Sequence, residues 1–335
     1  MKNLRRVFIG LGVILAVGYF AIVISLHREP ATFPPLPIPN GYDDFTNAVP
    51  LVTADVGDAY AMDLQALQSF VRSNAAALKL VRTGLSRECL LPTEAIILNF
   101  TNVLMDSLPG PRRLAQLLNG EGRLAELEGR TNDAARSYIH CIRLGNEVSR
   151  GGVLINRMVG MACEAIGCSA LARIAPKISR EQSVAVVAEL MAMETNAMTW
   201  NEVITNEKAF MRHARQDSFN PIRPFVDWWQ SRAVLKGTKN KHDISAAKRR
   251  LIAVELALRI YQIERGQPPT QLSDLVPRYL PRIPIDPFAE KELIYRPQGT
   301  NWLLYSVGED GMDDGGTPAT GRNLGAKGDV LFNAP

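Results

Sequence analysis

The acidic side chains near the C-terminus are the ones whose type and spacing could do chemistry. A loop rich in glycine, residues 308–316, carries Asp310, Asp313 and Asp314. Calcium takes ~6–8 oxygen ligands, and closely spaced carboxylates between glycines can wrap around such an ion. We call residues 308–316 the acidic loop. It is a candidate calcium site, and a solvated acidic turn is the alternative.

No arrangement of catalytic residues stands out elsewhere. Glu202, Glu207 and His213 offer carboxylates and an imidazole, but they lack the HExxH spacing of a helical zinc site. A Gly-x-Ser-x-Gly elbow, a glycine-rich phosphate loop and a CxxC pair are all absent from the sequence. We therefore predict that the protein is not an enzyme.

The charge balance argues against a nucleic-acid partner. The chain has 38 basic and 34 acidic residues, well mixed, with a net charge of +4. A nucleic-acid-binding surface usually shows a basic stripe with interleaved aromatic residues. The one dense basic run, residues 236–250, is interpreted as a solvated linker followed by the first turns of a helix.

Cysteine usage does not predict a disulfide scaffold. The four cysteines, Cys89, Cys141, Cys163 and Cys168, are too few for such a framework. Small thiol side chains are common in apolar cores, which is the role we predict for all four. A long-range disulfide such as Cys141 with Cys163 is the alternative outside the cytoplasm.

An apolar segment at the N-terminus predicts a membrane anchor. Residues 7–26 form a run of 20 residues without a charge, which matches the ~20 residues that a helix needs to cross a bilayer. The preceding Lys2, Arg5 and Arg6 place the N-terminus in the cytoplasm by the positive-inside rule. A cleaved signal peptide is the alternative. Residues 1–29 thus predict a cytoplasmic tip and a single-pass anchor in a bacterial inner membrane, with the rest of the chain periplasmic.

Two further segments follow the anchor. Residues 30–40 contain five prolines, which favour an extended polyproline stalk. Residues 41–240 show leucines recurring at spacings of three and four, as in amphipathic helices. The sequence therefore predicts a helical domain held off the membrane by the stalk.

One helical hairpin is more specific, because residues 122–144 resemble a single tetratricopeptide repeat. Gly129 would end the first helix, and the small side chains of Ala134 and Cys141 would let the paired helices approach closely. A second copy is not found, although at least three repeats are usual for stability. An ordinary helical hairpin is the alternative, and either one makes a scaffold.

The composition changes in the C-terminal module, residues 243–335. An apolar stripe predicts a helix over residues 244–264, which Gly266 ends. Two short strands, residues 293–296 and 302–307, are predicted around a turn at residues 298–299. The fold class predicted for the whole chain is therefore α+β, with a mostly helical middle and a small antiparallel sheet.

The order of motifs in this module resembles the globular part of the major pseudopilin of type II secretion systems, general secretion pathway protein G. That family follows a long helix with G-x-x-P, L-V-P-x-Y-L, P-x-D-P and Y-S-x-G-x-D-G runs. The matching positions are Gly266 with Pro269, residues 275–280, Pro284 with Asp286-Pro287, Tyr295, and residues 305–311.

The resemblance implies a calcium site in the terminal loop. Ser306 and Asp310 match the family pattern directly, and Asp329 matches its late aspartate. Asp313 and Asp314 are additional candidate ligands where the loop varies. Members of the family also continue from the membrane helix straight into the globular helix, with a glutamate near the mature start. This chain does neither, so we interpret the module as a pseudopilin-like unit on another anchored protein.

These features predict a membrane-anchored, extracytoplasmic scaffold or protein-interaction protein with an unknown protein partner. An accessory component of a type II secretion or type IV pilus-like machine is the second hypothesis. A cell-envelope hydrolase is the third, and it would require a cleft with perturbed carboxylates that the sequence does not indicate.

Overall fold

The protein is described by a computed structural model that covers residues 18–19, 34–53, 59–93, 108–213, 223–319 and 327–332. These residues form nine α-helices and a small antiparallel sheet near the C-terminus, which agrees with the coarse α+β prediction. The helices are α1 (Gly41–Ala48), α2 (Leu64–Ser73), α3 (Ala75–Leu85), α4 (Pro109–Leu127), α5 (Thr131–Glu147), α6 (Leu154–Ile174), α7 (Arg180–Asn196), α8 (Trp200–His213) and α9 (Arg223–Arg265).

The predicted anchor, residues 7–26, lies outside the described residues except for 18–19, as does the start of the stalk. Within the described ranges, one helical stretch, Leu154–Lys177, is long and apolar enough to cross a membrane by length and composition. Of its most apolar window, 61% is buried against the rest of the protein. A core helix of a soluble domain passes the same test, so the anchor and the periplasmic location stay predictions.

Helices α4, α5 and α6 form consecutive hairpins that pack through glycines. Gly129, with φ of 74°, separates α4 from α5, as the sequence predicted. A Cβ at Gly122 would lie 2.3 Å from the Tyr138 ring, and one at Gly145 would lie 2.4 Å from the Gly160 carbonyl oxygen. Only glycine lets these helices approach so closely. The hairpin is confirmed, while its likeness to a tetratricopeptide repeat stays a prediction.

The N-terminal helices pack on α4 and α5 and are joined by polar contacts. The side chain of Asn40 caps α1 by accepting a hydrogen bond from the Tyr42 N–H at 3.1 Å. Both carboxylate oxygens of Asp44 accept from Arg87, at 2.9 and 2.7 Å. Helices α1 and α3 cross at Gly41 and Gly84, where added Cβ atoms would meet the facing backbone within 2.7 Å.

Helix α9 extends much further toward the N-terminus than the sequence predicted. The expected start at residue 244 is wrong, because the helix begins at Arg223 and is continuous through the basic run read as a linker. Lys239 pairs with Asp243 one turn later at 2.6 Å, and Asn240 donates to Glu309 at 2.8 Å. These contacts and the burial of Thr238 hold the segment in the helix.

One apolar core joins the helical middle and the C-terminal module. It includes Ile142 from α5, Leu190 from α7, Leu251 from α9 and Leu304 from the sheet, each 4% exposed or less. Apolar burial is the main source of folding free energy. The two predicted regions are therefore stabilised together, and their division near residues 240–243 stays a prediction.

The C-terminal sheet has three antiparallel strands in the order β1, β2 and β3. They span β1 (Ile294–Gln298), β2 (Asn301–Ser306) and β3 (Val330–Leu331). Gly299, with φ of 64°, makes the tight turn between β1 and β2, close to the predicted bounds. Pro297 is tolerated because β1 is an edge strand. The sequence did not predict β3, which pairs Leu331 with Tyr305.

All four cysteines are free thiols and are buried. The Cys141 sulfur lies 3.3 Å from the Cys163 carbonyl oxygen and 3.5 Å from the Ala115 carbonyl oxygen, so its one S–H group can donate to either of them. Burial raises the pKa of the Cys163 thiol to about 12. The prediction of core thiols is confirmed, and the alternative Cys141–Cys163 disulfide is not formed in this structure.

Candidate functional site

The predicted ligand Ser306 is held by a buried aspartate that precedes the sheet. Its hydroxyl donates to Asp286 at 2.9 Å, and the same carboxylate accepts from the N–H groups of Val307 at 3.0 Å and Phe288 at 2.9 Å. Both Asp286 and Ser306 are fully buried. Asp286 therefore joins the P-x-D-P segment to the end of β2, and the Ser306 hydroxyl is used in this hydrogen-bonded contact.

Asp329 is also buried and holds the acidic loop onto β3. Its carboxylate accepts from the Gly316 N–H at 2.7 Å and from the Asp314 N–H at 3.4 Å. Burial raises the pKa of Asp329, and the nearby charges of Asp313 and Asp314 raise it further. The negative charges of these three side chains are thus close enough to repel one another.

Asp313 is paired with groups on the strands. It lies 2.6 Å from Arg296 and accepts hydrogen bonds from the Tyr305 hydroxyl at 2.6 Å and the Gly315 N–H at 2.9 Å. The hydrogen bond from Tyr305 is the main reason that the pKa of Asp313 is lowered, with Gly315 and Arg296 acting in the same direction. Its carboxylate is therefore satisfied by the protein itself.

The two remaining candidates each keep an unsatisfied oxygen. Oδ2 of Asp310 and Oδ2 of Asp314 are buried without a hydrogen-bond partner, and such oxygens suit a hard cation. However, within the described residues no three His, Cys, Asp or Glu side chains group closely enough to hold a metal ion. The geometry offers two free oxygens rather than an assembled donor set, so calcium binding by this loop stays a prediction.

A second candidate site is an open groove between α6 and α9, which we call the α6–α9 groove. Its volume is about 300 Å³, at the lower end of the ~300–1,000 Å³ of typical ligand pockets. Ala162 and Ala165 are exposed, whereas Met161 and Cys168 are buried at its floor. The wall on α6 consists of Met158, Met161, Ala162, Ala165 and Cys168.

The wall on α9 adds positive charge. It consists of Lys241, Ile244, Ser245 and Lys248, at the spacing that places residues on one helix face. Lys241 is exposed and Lys248 is half-buried. Among the described residues, the lining therefore includes two basic side chains and no acidic one.

A buried ionic network lies directly behind this groove. Glu164, with no exposed surface, pairs with Arg157 at 2.6 Å and with Arg249, and it accepts from the Ser245 hydroxyl. Arg249 also contacts Glu194 of α7 at 3.2 Å. Burial alone would raise the pKa of Glu164, but the charges of Arg157 and Arg249 outweigh it and lower the pKa to about 2.

His242 belongs to the same network and is kept neutral. Its Nδ1 accepts a hydrogen bond from Arg157 Nε at 3.1 Å, and its ring lies 5.8 Å from that of Trp200. Burial lowers the pKa of His242 to about 3, and the charges of Arg157 and Arg249 act in the same direction. The imidazole is therefore a hydrogen-bond acceptor that orients Arg157.

Sequence reasoning missed this network, although a signal was present. Arg157 and Glu164 are spaced seven apart, two turns along a largely apolar helix whose other charged residue, Arg173, lies in the last turn. Charged residues are almost never buried unless they are paired. That spacing indicates a buried ion pair, but it does not identify Arg249, which is 85 residues further along the chain.

Comparisons with known proteins do not add an identity. No protein-family model, curated protein or solved structure matches the chain. The resemblances to the major pseudopilin and to a tetratricopeptide repeat therefore stay predictions based on sequence motifs. The candidate sites are argued from their own geometry.

Proposed function

We propose that the chain is a membrane-anchored, extracytoplasmic scaffold or protein-interaction protein without enzymatic activity. The α6–α9 groove is the observation that carries this proposal. It is open, its floor is apolar, and its lining includes Lys241 and Lys248. Protein recognition commonly combines an apolar centre with a polar rim.

The state of the groups behind the groove supports binding over catalysis. A general base or acid works best with a pKa near the operating pH and with a free position toward the substrate. Glu164 is instead paired with two arginines and has a pKa of about 2. His242 uses Nδ1 to accept from Arg157 and has a pKa of about 3. These features disfavour the third hypothesis, a cell-envelope hydrolase acting here.

The second hypothesis, an accessory component of a type II secretion or type IV pilus-like machine, draws support from the C-terminal module. Asp286 of the P-x-D-P run accepts from Ser306 and Val307 of the Y-S-x-G run. The two motifs that carry the pseudopilin resemblance are thus in direct contact. This contact favours a local structure shared with pseudopilins, and the role in a secretion or pilus-like machine is a proposal.

In-cell photo-crosslinking tests the proposed function. A small diazirine amino acid, about the size of leucine and too small to fill the groove, replaces Ala165 in the full chain, and the matched control replaces Ala185, an exposed alanine of α7. We expect one protein partner to be crosslinked from position 165 and not from 185, and the reciprocal crosslink from that partner to be found. A secretion-machine protein as the partner would favour the second hypothesis. Absence of a reproducible adduct would contradict a scaffold role for this groove.

A topology reporter tests the predicted location. A reporter active only in the periplasm, fused after Pro335, should be active because Lys2, Arg5 and Arg6 keep the N-terminus in the cytoplasm. The protein should also resist carbonate extraction. A soluble, N-terminally trimmed product would contradict the anchor over residues 7–26.

A further inference from the structure

The lining of the α6–α9 groove repeats one spacing on both helices. Met158, Met161 and Ala165 on α6 are separated by three and four residues, as are Lys241, Ile244 and Lys248 on α9. Residues at this spacing share one helix face. A groove seven residues long extends for roughly 10 Å, at the ~1.5 Å rise of an α-helix.

The small side chains in the α6 wall determine how close a partner can come. Ala162 and Ala165 are exposed at the rim, so the backbone of another helix can lie against them. Met158 and Met161 beside them are unbranched, and methionine adapts to differently shaped apolar side chains. This wall suits a helix that contributes two apolar anchors from adjacent turns.

The charges on the α9 wall determine the sign and the spacing of the charged side chains that a partner must present. Lys241 and Lys248 are two turns apart, and none of the described residues that line the groove is acidic. A helix lying along the groove would present carboxylates at the same two-turn spacing, because its rise per residue is the same.

We infer that the groove binds an acidic amphipathic helix of a partner protein, in which two carboxylates seven residues apart flank two apolar residues. The inference rests on the proposed interaction function and specifies its partner class. The two carboxylates of the partner helix contact Lys241 and Lys248. Its two apolar residues pack against Met158, Met161 and Ile244. The expected pattern in the partner is acidic-x-x-apolar-apolar-x-x-acidic.

Designed peptides test this inference on the full chain in nanodiscs of neutral phospholipid. The probe is an alanine-rich peptide of about 18 residues, long enough to be helical, with Glu at positions i and i+7 and Leu at i+3 and i+4. A second peptide of the same composition places the second Glu at i+5, on another face. We expect the first peptide to bind at least about tenfold more tightly, as measured by fluorescence anisotropy.

Three variants of the chain locate the binding. Ala165→Trp fills the groove and should abolish binding of the first peptide. Lys241→Glu should weaken it about tenfold at low salt, and by much less at 1 M salt, where the screening length is only ~3 Å. Lys236→Glu makes the same charge change on an exposed residue of α9 that does not line the groove, and it should leave affinity unchanged.

The possible outcomes separate this inference from the proposed function. Equal binding of both peptides, or binding that survives Ala165→Trp and Lys241→Glu in a chain with an unchanged melting curve, would overturn the acidic-helix inference. So would binding of anionic phospholipid vesicles that depends on these residues while the peptide does not bind. If the inference fails but position 165 still crosslinks a protein partner in cells, the proposed function stands.

Discussion

The helix interface and the C-terminal sheet bury carboxylates in opposite ways. At the interface of α6 and α9, Glu164 is matched by the full positive charges of Arg157 and Arg249. In the C-terminal module, Asp286 and Asp329 are matched by backbone N–H groups, with a hydroxyl added at Asp286. Both solutions satisfy the buried oxygens, but they depend on different partners.

This difference determines what each region can tolerate. An ion pair that loses its acid leaves buried cations without compensation, which costs more than the pair contributed. When a carboxylate held by neutral donors is removed, only uncharged N–H and O–H groups are left without an acceptor. An amide side chain can accept some of their hydrogen bonds. The two regions should therefore respond differently to the same acid-to-amide substitution.

The largest effect is expected at Glu164. Glu164→Gln leaves Arg157 and Arg249 buried with less negative charge, so we expect a loss of about 3–5 kcal/mol in the free energy of unfolding. Chemical denaturation of the full chain measures it. Glu128, an exposed partner of Arg130, offers a matched control, and Glu128→Gln should leave the midpoint nearly unchanged.

A triple variant sharpens this result. Replacing Arg157, Glu164 and Arg249 together with Leu, Met and Met removes the charges as a group, and such apolar replacements are often neutral or stabilising. We expect the triple variant to be more stable than Glu164→Gln alone. If it is less stable, the ionic network stabilises the fold more than apolar packing would, and its removal as a group is not tolerated.

Asp286 should show the next largest effect. Asp286→Ala leaves Ser306, Val307 and Phe288 without their acceptor, with an expected loss of about 3 kcal/mol. Asp286→Asn keeps one acceptor oxygen and should recover roughly half of that loss. Thermal melting of both variants measures it. Equal losses for Ala and Asn would mean that Asp286, like Glu164, acts through its charge.

Calcium tests the acidic loop. If a cation joins the unsatisfied oxygens of Asp310 and Asp314, it should stabilise the fold by ~2.7 kcal/mol at a hundredfold excess over its dissociation constant. The melting temperature of the full chain should then rise with calcium and fall with chelator, and magnesium should do little. Asp310→Ala should abolish the response, while Glu181→Gln on the exposed surface of α7 should not. Identical melting curves with calcium and with chelator would contradict a calcium site and favour the alternative, a solvated acidic turn.

The pH dependence of stability should reflect His242. Its pKa is about 3 in the folded protein against 6.5 unfolded, so the unfolded state binds the proton more tightly. This contribution to stability is complete above pH 6.5 and is lost as pH falls toward 3, by about 1–2 kcal/mol at pH 5. Glu164, whose pKa is lowered to about 2, loses its contribution only below about pH 4.5, so it does not affect stability between about pH 7.5 and 5.

His242→Asn tests this assignment, because it keeps an acceptor for Arg157 and removes the titration. Its stability should fall less steeply than that of the wild type between pH 7.5 and 5. His140 has a pKa lowered to about 4, chiefly by burial, and contributes with the same sign. His140→Gln should therefore remove a separate part of the pH dependence of stability. An unchanged slope for His242→Asn would contradict the neutral, buried imidazole.

The smallest effect concerns the basic run of α9. If residues 236–242 are helical rather than a linker, Gly237→Ala should stabilise the protein by about 0.5–1 kcal/mol, because alanine loses less backbone entropy. Gly299→Ala, at a φ of 64°, should destabilise it instead. A neutral Gly237→Ala in denaturation experiments would favour the linker interpretation.

Local patterns in the sequence were enough to predict a mostly helical middle, one hairpin within it, and the first two strands of the sheet. Gly129 and Gly299 both have positive φ, and they mark the helical hairpin and the strand turn where the sequence placed them. Gly266 follows the end of α9, as predicted. Such signals work because periodicity and turn chemistry depend on neighbours within a few residues.

The same local reasoning failed where long-range packing decides. The first half of the basic run, residues 236–243, has few apolar positions, yet contacts such as Asn240 with Glu309 hold it in α9. Strand β3 has only two residues and exists because it pairs with β2. A segment with a weak intrinsic preference takes the structure that its tertiary partners stabilise.

The sequence by itself therefore determined the composition of the sites, and the tertiary structure decided which residues meet. Acidic residues amid glycines could be read directly, but their partners could not: Ser306 faces Asp286, and Asp313 faces Arg296. The α6–α9 groove and the pairing of Glu164 with Arg249 join residues more than 70 positions apart. No local sequence pattern predicts such long-range contacts, because they depend on how the helices pack around the shared apolar core.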